Sequence, residues 1–261
     1  MLVLALDTST PAVTAAVVQL LDVPEALAVL AGRPTGDPGR TRGAVGAPGP
    51  DGDSRPVRLL AERRVTDQFG HAEHLLPLAT DALAAAGMRL ADLDAVVVGI
   101  GPGPFTGLRV GMATAAALGD ALDRPVHGVP SHDGMATARP SDPAPAGEFL
   151  VVTDARRREV YLSGYSAARR RLLGPLVAAP ADVPALLADS GRRPTEIRGA
   201  GSNLLTGLGL PAGPPPESVG AGLVARAASA LLTGVVPGPL TPLYLRRPDA
   251  TEPGPRKSVL R

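Results

Sequence analysis

Residues 2–7 read LVLALD, a run of five apolar residues that stops at the carboxylate of Asp7. A continuous apolar run of this length is typical of a strand that is buried on both faces, as the parallel strands of α/β proteins are. The turn that follows is polar and reads DTSTP over 7–11. The opening of the chain therefore predicts a core strand that delivers an acidic side chain to a turn at its carboxyl end.

The second half of the chain repeats this order of features. Residues 149–153 read FLVVT, Asp154 follows, and a basic turn at 155–158 leads into a further predicted strand over 159–165. Two buried strands that each deliver an aspartate to a turn indicate two related halves, although only the pattern repeats and not the letters. The expected fold class is therefore α/β with two related lobes.

Periodicity and capping residues predict the remaining elements. A helix over 71–86 has apolar residues at helical spacing, and Pro77 inside it predicts either a kink or a later start. Further helices are expected over 106–122, 182–189 and 218–233, with strands over 12–20, 57–65 and 93–100 and a strand end with a tight turn at 197–202. The residues expected to cap or stop these helices are Gly87, Thr106, Ser218 and Gly234.

Length and composition exclude several classes of protein. The chain has 261 residues, of which 44% are hydrophobic, so it can bury a sizeable core as one large domain or two small ones. The absence of cysteine excludes disulfides, thiolate zinc sites and a cysteine nucleophile. A net charge of +1 argues against a globally basic nucleic-acid binder, although a local basic patch stays open. With no apolar run near 18 residues and no basic leader, we expect a cytoplasmic protein without a membrane span.

The composition is also biased in a way that lowers the value of single residues as signals. Glycine and proline are abundant, at 31 and 29 residues, and Lys257 is the only lysine. GC-rich coding produces such a bias. The segment 33–56 is dominated by Gly, Pro, Arg and Asp, so we expect a disordered insertion there, and we expect a disordered tail over 252–261.

The first candidate site is the turn that begins at Asp7, with Thr8 and Ser9 beside it. An aspartate at the carboxyl end of a buried strand, with hydroxyls in the next turn, can hold hydrated Mg²⁺ and receive phosphate oxygens. Asp154, facing it from the second half, would complete a nucleotide site. The alternative is an Asx turn in which the aspartate satisfies its own backbone.

The second candidate is the loop GPGPFTGLRVG over 101–111, between a predicted strand and helix. A phosphate loop belongs at such a place, but this one lacks the Gly-Lys-Ser/Thr of a Walker A loop and the spacing of the dinucleotide fingerprint. Pro102 and Pro104 also remove two backbone N–H donors. Tight packing of strand against helix is therefore favoured over a phosphate cradle.

The remaining candidates are less specific. His71 and His74 are three residues apart, whereas a zinc-protease helix needs a spacing of four, so a helix start at the surface is favoured over a metal site. Ser131, His132 and Asp133 are adjacent in sequence, whereas the members of a catalytic triad meet in space. The arginine runs 156–158 and 169–171 fit either RNA phosphates or solvated faces, and the arginine bias favours the second.

Several of these segments together resemble the TsaB (YeaZ) family. The matching segments are DTS after the first strand, His71-x-x-His74-Leu75-Leu76-Pro77, GPGPFTGLRVGMATAAAL, Asp154-Ala155-Arg156-Arg157-x-Glu159-Val160-Tyr161 and Pro242-Leu243-Tyr244-Leu245-Arg246. The order and spacing match over nearly the whole chain outside 33–56 and the tail. Pro104 departs from the family, which usually has serine there, and this removes a hydroxyl and an N–H from the loop.

The resemblance implies an actin-like ATPase (ASKHA, ribonuclease-H-like) fold of two α/β lobes. We place the lobes at 1–104 and 105–217, followed by a helix and return segment at 218–246. The implied role is in making N6-threonylcarbamoyladenosine in tRNA, as a required but non-catalytic partner of the transferase TsaD. TsaE is the associated ATPase, and tRNA is reached through the complex. The resemblance does not imply a certain cofactor for this chain. The alternative is weak binding of ATP or ADP with Mg²⁺.

The predicted mechanism is assembly through the helices over 71–86 and 106–122. Their small and aliphatic residues would pack against equivalent helices of TsaD, or against a second copy of this chain in isolation. The competing functions are an Mg-ATP-dependent phosphotransferase or ATPase and, after it, an M22-like metallopeptidase. The residues expected at the partner interface are His71, His74, Leu75, Leu76, Ala79, Gly107, Leu108, Gly111 and Ala115.

Overall fold

The structure is a computed structural model, and it describes residues 1–21, 57–137, 145–214 and 218–246. The insertion expected over 33–56 and the tail expected over 252–261 lie outside the described residues. The described part forms two sheets with helices packed on them.

The first sheet has five strands in the order β3-β2-β1-β4-β5. The strands β1 to β3 form an antiparallel meander, and β4 and β5 continue from β1 in parallel. The central strands are buried on both faces, which is why β1 and β4 read as continuous apolar runs. The bounds are β1 Leu2–Asp7, β2 Ala12–Leu20, β3 Val57–Thr66, β4 Ala95–Gly99 and β5 Val126–Val129.

Three helices cover the two faces of this sheet. The helices α1 (His71–Ala85) and α2 (Phe105–Leu122) pack on one face, around Leu4, Leu6 and Val96. The C-terminal helix α5 (Val219–Leu232) covers the other face, where it packs on the alternate residues of the same strands. Burial on both sides of β1 fixes the position of the turn that Asp7 begins.

The second sheet has four strands in the order β8-β7-β6-β9. An antiparallel meander again carries one parallel strand beside its first member, as in the first sheet. This confirms the prediction of two related α/β lobes. The bounds are β6 Phe149–Arg156, β7 Glu159–Tyr165, β8 Arg171–Ala178 and β9 Glu196–Arg198, with the short helices α3 (Ser131–Thr137) and α4 (Val183–Asp189).

The helix ends agree with sequence expectations at three of four capping residues. Ser218 Oγ accepts a hydrogen bond from Ala221 N at the start of α5. Gly87 and Gly234 have φ of +68° and +66° just beyond their helices, where a left-handed residue favours glycine. The prediction of Thr106 as N-cap was wrong, because α2 begins at Phe105 and the N-cap is Pro104.

Other local expectations need correction or addition. The helix α1 starts at His71 and continues through Pro77, so the alternative of a later start was wrong. The sequence did not predict β5, α3 or β8 as elements. The lobe boundary after residue 104 stays a prediction. Beyond residue 104, β5 pairs with β4 in the first sheet, and α2 packs on that sheet. Within the described ranges, no helix combines the length and hydropathy needed to cross a bilayer.

Candidate functional site

The turn after β1, which we call the Asp7 turn (7–10), is closed by its own hydrogen bonds. Asp7 Oδ1 accepts from Ser9 N at 2.9 Å and from Ser9 Oγ at 2.6 Å. Thr8 Oγ1 donates to Gly107 O at 2.7 Å, which ties the turn to the start of α2. The side chain of Asp7 therefore forms the Asx-type turn that was the alternative to a metal ligand.

The loop 101–104 and the start of α2 lie directly over this turn. A Cβ built on Gly103 would lie 2.8 Å from Ser9 Cα and would overlap the Ser9 carbonyl oxygen. At Gly107 it would lie 2.6 Å from Thr8 O, and at Gly111 it would overlap Thr8 Oγ1. The glycines therefore let the loop and helix cover the turn, and they do not form a cradle for phosphate.

Burial makes Asp7 an unusual carboxyl group. Its residue is 2% exposed, and Thr8 and Ser9 are buried equally well. Oδ2 has no partner of good hydrogen-bond geometry, although Ser131 Oγ is the nearby hydroxyl. Burial raises the pKa of Asp7 above its ordinary value, against the opposing hydrogen bonds from Ser131 and Ser9. The carboxyl group is therefore held inside the core, with Oδ1 engaged by Ser9.

The second predicted ligand, Asp154, has a different environment. Its side chain is 46% exposed near the end of β6, and its Oδ1 accepts from Arg156 N at 2.6 Å. Its Oδ2 lies 3.9 Å from Arg156 Nη1. One aspartate is thus sealed in the core and the other is engaged in a surface turn. The two aspartates therefore have different surroundings, and their joint role in a nucleotide site stays a prediction.

The two histidines at the start of α1 contact different partners. His71 Nε2 lies 3.0 Å from Thr10 O, and His74 Nε2 lies 3.0 Å from Asp67 Oδ2. Three hydrogen bonds lower the pKa of Asp67 to about 2. The largest effect comes from the backbone N–H of Phe69, followed by the His74 side chain and the backbone N–H of Gly70. Among the described residues, no group of three or more His, Cys, Asp or Glu side chains could hold a metal ion. These contacts anchor the start of the helix.

Most of the predicted interface residues are buried inside this chain. The buried members are His71, Leu75, Ala79, Gly107, Leu108, Gly111 and Ala115. They face the sheet and the Asp7 turn, so in this arrangement they cannot be presented to a partner, and the expectation for these side chains is corrected. The stripe of small residues on α2 serves close packing against the chain's own turn. Leu76, which is 46% exposed, and the half-buried His74 remain accessible.

A second group on the same side of the molecule was missed by sequence reasoning. The Phe105 and Tyr244 rings stack with centroids 4.6 Å apart, and Arg109 Cζ lies 3.8 Å over the Phe105 ring. Arg109 Nε also donates to Tyr244 Oη at 3.0 Å. The chain has only six aromatic residues, and three of them are exposed: Phe69 at 88%, Phe105 at 40% and Tyr244 at 38%. The small number of aromatic residues was the signal available in the sequence. A chain with so few is expected to bury them, so an aromatic residue left at the surface is informative.

A buried polar network around α3 was also missed. The His132 ring, fully buried, lies 2.9 Å from Ser163 Oγ and 3.0 Å from Thr153 Oγ1, and burial lowers its pKa to about 3. Beside it, Tyr165 Oη donates to Asp133 Oδ1 at 2.8 Å.

Two arginines extend this network toward both lobes. Asp133 lies 3.4 Å from Arg171 Nη1 on β8 and 3.9 Å from Arg226 Nη2 on α5. Every ring nitrogen of His132 is engaged by a hydroxyl, so the group joins α3 to both lobes and is not arranged as a nucleophile with its base.

The comparisons with known proteins match two proteins of related name, TsaD and TsaB, and an uncharacterised relative. A family model described as "TsaD: tRNA N6-adenosine threonylcarbamoyltransferase" matches residues 66–200. An uncharacterised protein of Mycobacterium tuberculosis is 43% identical over 251 residues, which cover 95% of this chain and 93% of that protein. The tRNA threonylcarbamoyladenosine biosynthesis protein TsaB of Haemophilus influenzae is 35% identical over 112 residues, 43% of this chain and 44% of that protein.

A solved structure extends the agreement to the fold. YeaZ from Pseudomonas aeruginosa superposes with a TM-score of 0.62 at 24% identity, over 94% of this chain and 99% of that chain. At this identity the match speaks to the fold alone, and it confirms the expected α/β fold of two lobes.

Proposed function

The chain belongs to the TsaB (YeaZ) family, and from that premise we propose that it acts in the biosynthesis of threonylcarbamoyladenosine in tRNA. Its proposed place is that of an accessory subunit, which binds and activates the transferase TsaD without performing the transfer. The matched TsaD family model and the TsaB name of the Haemophilus relative support this role.

The observation that carries the non-catalytic part is the sealed Asp7 turn. The carboxyl end of β1 is where a two-lobed α/β protein would hold Mg-nucleotide, and there Thr8 donates to Gly107 O while Gly103 packs on Ser9. Phosphate cannot enter without displacing the chain's own loop. The proposal therefore expects the isolated subunit to bind ATP or ADP with Mg²⁺ weakly or not at all.

The observation that supports docking is the accessible part of the α1/α2 surface, which we define as Phe69, Leu76, Phe105, Arg109 and Tyr244. Aromatic and arginine side chains dominate the energetics of protein interfaces. Here Phe105, Arg109 and Tyr244 contact one another, and Phe69 and Leu76 are exposed on or next to α1. We place TsaD on this surface and TsaE in the assembled complex. In the absence of TsaD the same surface would pair two copies of this chain.

The decisive experiment compares two leucines of similar exposure. Leu76→Glu places a charge in the α1/α2 surface, whereas Leu204→Glu places one at a leucine that is 39% exposed beside the second sheet. Because a buried unpaired charge at an interface costs several kcal/mol, Leu76→Glu is expected to weaken TsaD binding at least tenfold. Affinity is measured by calorimetry with purified TsaD, and threonylcarbamoylation of tRNA is measured with each variant.

The control and the thermal melts make the result decisive. Leu204→Glu is expected to bind TsaD and support modification as the unaltered chain does, and both variants are expected to melt at similar temperatures. If Leu76→Glu binds with unchanged affinity, the α1/α2 surface is not the docking site. If TsaD modifies tRNA at full rate without this chain, the accessory role itself is wrong. A tight, stoichiometric heat of binding with ATP and Mg²⁺ would instead favour the phosphotransferase or ATPase.

A further inference from the structure

The segment 243–246, which we call the strap, first contacts the side of the molecule that carries the α1/α2 surface. Leu243 N donates to Ile100 O at 2.9 Å, directly after β4. The next residue, Tyr244, stacks its ring on Phe105 at the start of α2, with the centroids 4.6 Å apart. A backbone hydrogen bond and a ring contact therefore attach the strap beside the first sheet.

The end of the strap is attached to the second sheet. Arg246 Nη1 donates to Ala155 O at 3.0 Å near the end of β6, and Arg246 Nη2 forms an ion pair with Glu159 at the start of β7. The Oε2 atom of Glu159 is buried, and the side chain of Arg246 is 25% exposed. When one member of a partly buried ion pair is removed, the other is left as an uncompensated charge. The pair therefore resists separation of the strap from β7.

The two attachments of the strap are close together along the chain. Tyr244 and Arg246 are two residues apart, so their Cα atoms are separated by no more than roughly 7 Å. Terminal segments are poorly ordered unless contacts tie them down. Holding Arg246 therefore restricts the positions open to the Tyr244 ring, whose hydroxyl accepts a hydrogen bond from Arg109 Nε at 3.0 Å.

We propose that Arg246 is a positioning residue for the α1/α2 surface, because its ion pair with Glu159 holds Tyr244 against Phe105. This inference rests on the proposed function, in which TsaD binds that surface. A side chain that is ordered before binding spares the complex the entropic cost of ordering it. The affinity for TsaD therefore depends on a contact with the second sheet, and Arg246 acts without touching TsaD itself.

The first test needs no partner protein. Arg246→Gln and Glu159→Gln each break the ion pair, and each is expected to make the backbone amide of Leu243 exchange with solvent at least about fivefold faster, as measured by NMR. The matched control is Arg192→Gln, which breaks the ion pair between Arg192 and Glu148, whose side chains are both 31% exposed. The control is expected to leave the exchange of the Leu243 amide unchanged.

The second test measures the affinity for purified TsaD by calorimetry. Arg246→Gln and Glu159→Gln are each expected to raise the Kd about fivefold. The double variant is expected to raise it no further, because both changes break the same pair. Arg192→Gln is expected to change the Kd less than twofold.

A mutant cycle with Tyr244 separates positioning from direct contact. In the Tyr244→Ala background the ring is missing, so Arg246→Gln is expected to change the Kd for TsaD less than twofold. If Arg246→Gln weakens binding by the same factor with and without Tyr244, Arg246 contacts TsaD directly and the inference is wrong.

The remaining outcomes also decide the question. Unchanged exchange of the Leu243 amide, or unchanged affinity of Arg246→Gln for TsaD, would show that the ion pair does not position the surface. Faster exchange at the amides of β1 as well would mean a general loss of stability, and would overturn the inference. If neither Leu76→Glu nor Tyr244→Ala weakens TsaD binding, the docking proposal fails, whereas the exchange of the Leu243 amide still reports separately on the attachment of the strap.

Discussion

Gly103→Ala tests whether the loop 101–104 closes the Asp7 turn by rigid packing. The new Cβ would lie 2.8 Å from Ser9 Cα and 2.9 Å from Ser9 C. Both are backbone atoms, and Ser9 is held by hydrogen bonds from its own N and Oγ to Asp7. No flexible side chain can move aside, so the loop itself has to withdraw.

The expected cost follows from that displacement. Carbon atoms in contact prefer separations of about 3.5–4.0 Å, so the loop must retreat by roughly 1 Å from a closely packed turn. Overpacking of this kind costs about 1–3 kcal/mol, and the rigid backbone on both sides places Gly103→Ala at the upper end. For a chain of this size that is a fall in Tm of roughly 6–12 °C.

Thermal melts followed by circular dichroism measure this change, with Gly207→Ala as the matched control. A Cβ at Gly207 meets nothing within 4 Å, so the control is expected to melt within about 2 °C of the unaltered chain, or slightly above it. An unchanged Tm for Gly103→Ala would show that the loop moves freely. The turn would then be open to a ligand, and the reasoning that assigns no nucleotide to this chain would fail.

Two further predictions concern buried titratable groups. Asp7→Asn is expected to raise the Tm at pH 8 more than at pH 4. Burial raises the pKa of Asp7, so the buried negative charge destabilises the unaltered fold at pH 8 and is lost by protonation as the pH falls through that raised pKa. The exposed Asp120→Asn serves as the control, and a Tm difference between Asp7→Asn and the unaltered chain that grows toward acid would contradict the argument. The NMR signals of His132, assigned with His132→Gln, are expected not to titrate between pH 8 and pH 5, because burial holds the pKa of the ring at about 3. Because of the same shift, His132 becomes protonated in the unfolded chain at a pH where it stays neutral in the folded chain. This histidine therefore lowers the free energy of unfolding as the pH falls from about 6.5 toward 3. A signal that titrates near 6.5 would show that the ring is solvated.

Local features of the sequence were sufficient for most elements. The strands β1, β4 and β6 were predictable because strands buried on both faces read as unbroken apolar runs. Helix ends were predictable where a side chain or a positive φ determines them, as at Ser218 and Gly87. The short elements β5 and α3 were not, because four and seven residues give too little periodicity and depend on their neighbours.

The candidate site divides in the same way. The sequence identified the aspartates at the ends of two strands, the glycine loop and the family to which they belong. The spacing of the glycines along α2 could not show whether they make room for a partner, a phosphate or the chain's own turn. Each of the three needs a residue without a Cβ at those positions.

By itself, then, the sequence determined the fold class, the two related lobes and the position of the Asp7 turn, because these depend on residues that are neighbours along the chain. Only the tertiary structure decided that this turn is sealed, that most of the expected interface is buried, that Phe105 stacks on Tyr244, and that Arg246 contacts the end of β6 at Ala155 O. Those facts depend on contacts between residues up to 139 positions apart in the chain, such as Phe105 with Tyr244. Packing alone brings such residues together, and no local pattern records which of them will meet.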